Sequence, residues 1–200
     1  KNKIQLRRKV KYDEKIRRPF IVRESSIAYG DDDYSSSITK QKRSKKFYSI
    51  ISLFSGCGGL DLGFVGNFEF LKKRYPQNGF KVIWANDIDE PSCQTFANYF
   101  KHDVVCGDIT QILDGRFAAR LFDQPIPKNT DIVLGGFPCQ DFSHAGKRQG
   151  FNSKRGLLYQ SMVEVVRRTK PLVFVAENVR GLLTMNGGEA IQIIIKDFER

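Results

Sequence analysis

One cysteine of this chain stands in a short loop directly after an apolar stretch, and its surroundings suit a nucleophile. Residues 131–135 read DIVLG and residues 136–143 continue as GFPCQDFS, which places Cys139 between a proline and a glutamine. A second apolar stretch, residues 173–176, runs into Glu177. A thiol and a carboxyl group at the carboxyl ends of two strands are the groups needed for attack on an electron-poor ring, because thiolate is strongly nucleophilic near neutral pH. The pattern therefore predicts that Cys139 is a nucleophile assisted by Glu177.

A third apolar stretch, residues 48–53, is followed by a glycine-rich turn that reads FSGCGG at residues 54–59. Such a turn before a helix lets backbone N–H groups approach a carboxylate-bearing ligand, although on its own it is equally typical of a packing turn. The turn lacks both the GxGxxG pattern of dinucleotide-binding sites and the GK[ST] motif that binds a triphosphate. Asp87 ends the next strand, where an acid can bind a ribose diol, and Asp108 follows a further strand, where it can accept a hydrogen bond from an adenine amine. The combination predicts a nucleoside pocket without a phosphate-binding motif, which favours S-adenosylmethionine over NAD as the ligand.

Strand-like and helix-like patterns alternate five times after residue 47, which is typical of a parallel sheet covered by helices on both faces. We predict an α/β fold with a doubly wound, mostly parallel, Rossmann-like sheet. The predicted strands cover residues 48–54, 80–87, 102–106, 130–134 and 172–176. The predicted helices cover residues 60–75, 91–100, 109–121, 157–168 and 189–200. Ligands of such sheets bind at the carboxyl ends of the strands, so we expect the candidate segments to form one site.

The charge of the chain is unevenly distributed. The formal net charge is +11, and residues 1–47 contain 15 lysines and arginines against 6 acidic residues, whereas residues 48–200 contain 18 against 16. The sequence thus predicts a basic, partly disordered N-terminal extension at residues 1–46 and a globular domain at residues 47–200. The extension suits a polyanion such as nucleic acid, or it is a solvated tail, and both interpretations stay open. Within it, the apolar residues 20–22 suit a short strand or helix packed on the domain.

The four cysteines form no CxxC pair, and with two histidines in the chain we predict no metal site. Cys93 and Cys106 lie in apolar patterns that are typical of buried, inert thiols. The cysteine usage fits a reducing compartment, and no apolar run reaches the length of a membrane span. We therefore expect a cytoplasmic protein with no membrane partner.

Taken together, these segments resemble the cytosine-C5 DNA methyltransferase family over residues 47–200. The similar motifs are FSGCGG at residues 54–59, ND at 86–87, GDI at 107–109, GFPCQ at 136–140, RGLL at 155–158 and ENV at 177–179. Asp87 stands where many members of the family have glutamate. The chain reaches Arg200 before the Gln-x-Arg motif, the target-recognition region and the closing asparagine-containing motif of the family. We therefore expect activity to need a C-terminal recognition region or a second subunit.

The resemblance implies a DNA cytosine-5 methyltransferase. In that reaction Cys139 adds to C6 of cytosine, the ring becomes an enamine whose C5 attacks the sulfonium methyl group, and S-adenosylhomocysteine is the product. Glu177, protonated or sharing a proton with N3, would withdraw charge from the ring, and Asn178 would hold the loop. The target base must leave double-stranded DNA to reach such a pocket. The implied cofactor-binding residues are Phe54, Gly56, Cys57, Gly58, Gly59, Asp87, Ile88, Asp108, Ile109, Pro138 and Leu158, and the implied DNA contacts are Gln140, Ser143, Lys147, Arg148 and Arg155.

Two other functions stay open at this stage. One is the tRNA-modifying branch of the same fold, although Phe137 before Pro138 is typical of the DNA type, since the tRNA branch usually has a second proline there. The other is a noncatalytic subunit that binds S-adenosylmethionine or DNA and depends on another chain for activity. By analogy with the family, the expected setting is prokaryotic, associated with nucleoid DNA, and paired with a restriction enzyme.

Overall fold

The apolar stretches of the sequence form the strands of a central sheet in a computed structural model that describes residues 20–22, 47–114, 125–138 and 158–200. The strands are β1 (Phe20–Val22), β2 (Tyr48–Leu53), β3 (Phe68–Phe70), β4 (Lys73–Tyr75), β5 (Phe80–Asp87), β6 (Val104–Cys106), β7 (Ile132–Gly135) and β8 (Val173–Ala176). Within these described residues, six strands make one sheet in the order β1-β6-β5-β2-β7-β8. β1 pairs antiparallel with β6, and the remaining pairings of this sheet are parallel. The predicted mostly parallel sheet is confirmed.

Helices cover both faces of the sheet. They are α1 (Gly59–Val65), α2 (Glu90–Phe100), α3 (Ile109–Leu113), α4 (Tyr159–Thr169), α5 (Gly181–Thr184) and α6 (Glu189–Phe198). On one face, Ile50 of β2 packs in a cluster with Phe96 of α2. On the other face, Ile51 packs in a second cluster with Met162 of α4 and Ile194 of α6. Successive residues of a strand point to opposite faces, so these two hydrophobic clusters confirm the doubly wound architecture.

The later parallel strands lie on both sides of β2 in the sheet. The chain first passes to β5 and β6 on one side of β2, and it later forms β7 and β8 on the other side. Between β2 and β7 the direction of winding reverses, which opens a crevice at the carboxyl ends of these two strands. The loops that follow all the parallel strands leave the sheet at this edge, and they carry the candidate segments of the sequence.

The helix predicted over residues 60–75 is wrong in its second half. Helix α1 ends before Gly66, whose φ of +70° lies outside the helical region. The rest of the stretch forms an antiparallel hairpin of β3 and β4. Its two turn residues, Leu71 and Lys72, have φ of +49° and +63°, which is the left-handed conformation that a type I′ turn requires at both positions. Neither residue type predicts such a turn.

The other predicted elements lie close to where they were expected. Apart from α1 and α3, the helices and parallel strands predicted after residue 47 are found within two residues of their expected ends. Helix α3 ends at Leu113 instead of residue 121, and residues 115–124 lie outside the described part of the chain. The short helix α5 was missed. Strand β1 comes from within the predicted extension and places Phe20 opposite Cys106.

Among the described residues, no helix combines the length and the apolar character that crossing a membrane requires. No group of three or more histidine, cysteine, aspartate and glutamate side chains in the same ranges is arranged to hold a metal ion.

Candidate active site

The glycine-rich turn at residues 54–59 joins β2 to α1 in a shape that side chains would oppose. Gly56 and Gly58 have φ of +53° and +88°, in the left-handed region that favours glycine. A Cβ atom at Gly58 would overlap the ring of Phe100 and lie 2.9 Å from Cδ2 of Phe96. Helix α2 therefore packs directly behind the turn, and only glycine permits this approach.

Asp87, at the end of β5, fastens this turn to the neighbouring strand. Its Oδ2 accepts a hydrogen bond from the Gly56 N–H at 2.7 Å, and its Oδ1 accepts one from the Asp89 N–H at 2.9 Å. Beside it, the Ser55 N–H donates to the Asn86 carbonyl at 3.0 Å. The Asp87 side chain is half-buried, so it remains within reach of a ligand at the strand ends. The acid predicted to bind ribose also shapes the glycine turn.

Asn86 connects the ends of β5 and β6. Its side chain is buried, and its Nδ2 donates to the carbonyls of Val105 at 2.8 Å and Gly107 at 2.9 Å. These bonds fix the backbone immediately before Asp108. Oδ1 of Asp108 accepts hydrogen bonds from the N–H and the hydroxyl of Thr110, at 2.9 and 2.7 Å, and so caps helix α3. Asp108 thus has a structural role beside the one predicted for it toward adenine.

The ends of β7 and β8 bring Glu177 against the loop that follows β7. The Glu177 N–H donates to the Gly135 carbonyl at 2.9 Å, and its Oε2 lies 3.1 Å from the position that a Cβ atom would take at Gly136. Nδ2 of Asn178 donates to the Phe137 carbonyl at 2.9 Å. The backbone of Glu177 therefore bonds to the end of β7, and the side chains of Glu177 and Asn178 lie against the next two residues, Gly136 and Phe137. Glu177 is exposed at the open edge.

The predicted nucleophile Cys139 lies outside the described residues. Pro138, immediately before it, is half-buried, and Leu158, which follows the same gap, packs half-buried against the core. The structure thus positions the backbone that leads to Cys139, and it does not describe the thiol. The predicted DNA contacts also lie outside the described residues, and they are Gln140, Ser143, Lys147, Arg148 and Arg155.

The predicted cofactor residues differ in how much surface they offer. Ile88 is 68% exposed, and Cys57 and Gly59 are exposed at the glycine turn. In contrast, the side chain of Ile109 has 3% exposure and packs in the hydrophobic core, and Phe54 is half-buried against the same cluster. The first group can meet a ligand with its side chains or backbone, whereas the side chains of the second group support the site from below.

Two thiols behind this edge are buried against the end of β5. Burial raises the pKa of Cys93 and of Cys106 above the ordinary thiol value. Sγ of Cys93 lies 3.6 Å from the Asp87 carbonyl, and Sγ of Cys106 lies 3.9 Å from the Ile88 carbonyl, so both thiols can donate weak hydrogen bonds. The predicted burial of both thiols is confirmed, and the raised pKa favours the protonated, unreactive form.

Sequence reasoning missed an acid beneath the glycine turn. Asp61, in the first turn of α1, has no exposed surface, and neither carboxylate oxygen has a hydrogen-bond partner among the described residues. Burial raises its pKa to about 6, although the nearby Ser52 hydroxyl partly offsets this effect. The burial of Asp61 could have been suspected from its position between Leu60 and Phe64, two apolar residues that pack on the sheet.

A mostly apolar cavity of about 540 Å³ lies between β8, α5 and α6, and it adjoins the site through Phe137 and Asn178. Its lining includes Phe174, Leu182 and Ile194, and it includes neither the glycine turn nor Asp87. The cavity therefore lies beside the loop after β7, away from the glycine turn, and the candidate site is defined by the strand ends and their hydrogen bonds.

Comparisons with known proteins agree with this geometry. A protein-family model described as C-5 cytosine-specific DNA methylase matches residues 48–200. The type II methyltransferase M.NgoFVII of Neisseria gonorrhoeae is 46% identical over 165 residues, which are 82% of this chain and 39% of that protein. The DNA (cytosine-5-)-methyltransferase M.ApeKI of Aeropyrum pernix is 39% identical over 166 residues, which are 76% of this chain and 33% of that protein. The chain therefore spans about two-fifths or less of the length of these relatives.

A solved structure supports the same fold. A prophage-encoded Escherichia coli protein described as a DNA modification methyltransferase matches with a TM-score of 0.52 and 29% identity, over 76% of this chain and 38% of that one. Together with the sheet order, this match confirms the predicted α/β methyltransferase fold.

Proposed function

Because the chain belongs to the C-5 cytosine-specific DNA methylase family, we propose that it transfers a methyl group from S-adenosylmethionine to C5 of cytosine in DNA. The observation that carries this proposal is the attachment of Glu177 and Asn178 to the backbone just before Cys139, at the same sheet edge as the glycine turn. Residues 47–200 then form the cofactor-binding and catalytic domain. Because the chain spans 39% of M.NgoFVII, we assign the choice of DNA sequence to a C-terminal recognition region or a second subunit.

The residues at the strand ends fit S-adenosylmethionine. At Gly56 and Gly59 no atom lies within 4 Å of a Cβ position, so a ligand can approach the backbone there, and residues 54–59 contain no lysine or arginine to hold a phosphate. Asp87 and Asp108 stand at the ends of β5 and β6, where they can accept hydrogen bonds from ribose hydroxyls and an adenine amine. When bound, the cofactor supplies an electrophilic sulfonium methyl group. The proposed cofactor-binding residues are Phe54, Gly56, Cys57, Gly58, Gly59, Asp87, Ile88, Asp108, Ile109, Pro138 and Leu158.

The nucleophile in this proposal is Cys139. Its thiolate forms a bond to C6 of cytosine, and the electrons of the C5–C6 double bond then make C5 nucleophilic. After methylation, a base such as a water molecule takes the proton from C5, which restores the C5–C6 double bond and expels the thiolate. Cysteine suits both steps, because thiolate is a good nucleophile and a good leaving group.

Glu177 is the proposed acid that assists the addition. A proton shared between its carboxyl group and N3 of cytosine withdraws charge from the ring while the thiolate adds to C6. Its position against Gly136 supports this role, since Gly136 precedes Cys139 by three residues. Asn178 holds the same loop through the Phe137 carbonyl and acts as a positioning residue.

The target cytosine must leave the DNA duplex, because C6 is not accessible to a thiol inside stacked base pairs. The polar and basic residues around Cys139 suit contacts with the backbone of the displaced strand. The basic residues 1–46 suit longer-range attraction of the DNA polyanion. The proposed DNA contacts near Cys139 are Gln140, Ser143, Lys147, Arg148 and Arg155.

The decisive experiment traps the covalent complex on DNA that carries 5-fluorocytosine at the target position. Fluorine at C5 cannot leave in the elimination step, so the bond between Cys139 and C6 persists. With S-adenosylmethionine present, we expect the native full-length protein and the Cys93→Ser control to form a complex that survives denaturation. Cys139→Ser should form none.

Each other outcome has a distinct meaning. A complex formed by Cys139→Ser would place the nucleophile elsewhere and overturn the mechanism. A complex with 5-fluorocytosine tRNA and none with DNA would assign the protein to RNA modification. Binding of S-adenosylmethionine without any complex would favour a noncatalytic subunit.

A further inference from the structure

The buried carboxyl group of Asp61 has no role in the mechanism above. Asp61 follows Gly59, the last glycine of the turn, by two residues, and its side chain has 0% exposure. Neither of its oxygens has a hydrogen-bond partner among the described residues, and the buried hydroxyl of Ser55 within the turn has none there either. A buried acid without partners costs free energy, so stabilisation of the fold does not explain its presence.

The sheet beneath Asp61 does little to compensate this cost. Ser52 of β2 is the polar side chain that affects the carboxyl group. The residues paired with Ser52 on the adjoining strands are Ala85 and Leu134, and both are apolar and fully buried. Asp61 therefore lies in an apolar layer between α1 and the sheet. In such a layer the field of a charge is weakly screened and extends further than it does in water.

The cofactor proposed for the overlying turn has both a carboxylate and an ammonium group at its methionine end. Backbone N–H groups of the turn suit the carboxylate, but residues 54–59 contain no acid for the ammonium group. Asp87, at the end of β5, is the proposed acceptor of the ribose hydroxyls, and its two oxygens also accept the N–H groups of Gly56 and Asp89. A further acid, Asp61, follows the turn by two residues and is buried in the first turn of α1.

We propose that Asp61 is a positioning residue whose negative charge, acting through the glycine turn, favours the ammonium group of the cofactor's methionine part. This inference rests on the proposed function, because it takes S-adenosylmethionine and its product as the ligands. Burial raises the pKa of this carboxyl group to about 6, so it is ionised at pH 8.

The test compares three ligands on the native full-length protein and on Asp61→Asn, which keeps the shape of the side chain and removes its charge. S-Adenosylhomocysteine has both groups, decarboxylated S-adenosylhomocysteine has the ammonium group alone, and 5′-methylthioadenosine has neither; all three are thioethers without a sulfonium charge. By isothermal titration calorimetry at pH 8, we expect the first two to bind the variant about tenfold more weakly. The affinity for 5′-methylthioadenosine should not change.

Two further variants control for structural damage. Glu69→Gln removes an acid from the exposed hairpin strand β3 and should leave all three affinities unchanged. The double variant Ser52→Asp, Asp61→Ser moves the acid to the other side of the same contact and should recover part of the lost affinity. Thermal unfolding establishes that each variant is folded.

Three results would overturn the inference: no change for any ligand, an equal loss for all three, or a loss for S-adenosylhomocysteine alone. The second would indicate a distorted turn, and the third a disturbed hold on the carboxylate. Failure of the unmodified protein to bind S-adenosylhomocysteine would instead refute the proposed cofactor, so the two proposals fail in distinguishable ways.

Discussion

Replacing the glycines of the turn by alanine, one at a time, separates backbone strain from steric overlap. At Gly59 a Cβ atom would have no neighbour within 4 Å, and the residue lies in helix α1. At Gly56 the space is equally open, but φ is +53°. At Gly58 φ is +88°, and a Cβ atom would also overlap the ring of Phe100. Alanine would therefore meet neither strain nor overlap at Gly59, backbone strain alone at Gly56, and both at Gly58.

The expected losses of unfolding free energy follow from these differences. Gly59→Ala should be neutral or stabilising by up to about 1 kcal/mol, because alanine is the better helix former. Gly56→Ala should lose about 1–2 kcal/mol, the cost of a left-handed conformation for a residue with a side chain. Gly58→Ala should lose a further 1–3 kcal/mol or so, because the rings behind it must shift. Its total loss is then about 2–5 kcal/mol.

Urea unfolding of the native full-length protein, followed by circular dichroism, measures each free energy. The same variants can be titrated with S-adenosylhomocysteine, whose affinity should fall in the same order. If Gly58→Ala proved as stable as Gly56→Ala, helix α2 could not pack against the turn as described, and the steric part of the reasoning would be refuted.

Three further predictions concern other parts of the molecule. Asn178→Ala removes the 2.9 Å hydrogen bond to the Phe137 carbonyl, so we expect about 1 kcal/mol less stability and slower formation of the 5-fluorocytosine complex; an unchanged rate would show that the loop does not need this bond. The folded pKa of Asp61, about 6, exceeds its ordinary value of 3.8, so its contribution to stability is present below pH 3.8 and is lost as the pH rises through 6. Asp61→Asn should therefore stabilise the protein by up to about 3 kcal/mol at pH 8 relative to pH 3.5, and equal effects at both pH values in thermal unfolding would contradict this. Deletion of residues 1–19, which hold nine lysines and arginines against two acids, keeps β1 and should flatten the dependence of DNA affinity on salt concentration; an unchanged slope would make the segment a solubility tail.

Most of the parallel sheet could be predicted because β2, β5, β6 and β7 are largely buried, and such strands appear in the sequence as nearly continuous apolar runs. All four residues of β7 are buried, and the sequence there reads IVLG. Helix α2 could be predicted from its start, where Pro91 occupies the first turn and Oδ2 of Asp89 accepts the Ser92 N–H at 3.0 Å. Both signals are local, so a single sequence contains them.

The hairpin of β3 and β4 could not be predicted, because its turn does not use residues typical of turns. Leu71 and Lys72 adopt positive φ without asparagine or glycine, so nothing at these positions signals a type I′ turn. The conformation depends on the pairing of Phe68–Phe70 with Lys73–Tyr75, which a reading for helical periodicity does not test. The prediction therefore continued α1 through a segment that forms strands.

The candidate site was predicted as a set of reactive residues, and the structure adds the side chains that hold their backbone. Asn86 bonds to the end of β6, Asp87 to the glycine turn and Asn178 to the loop after β7. Each of these contacts joins elements that are distant in sequence. A sequence motif therefore identifies the residue, but it does not identify its hydrogen-bond partner. In each case the hydrogen bond stabilises the fold, which accounts for the presence of the polar side chain. Asp61 differs, because it lies at the same edge and has no such partner among the described residues. An acid that lowers the stability of the folded chain at neutral pH requires an explanation outside the fold, and the charge of a ligand at the turn above it provides one.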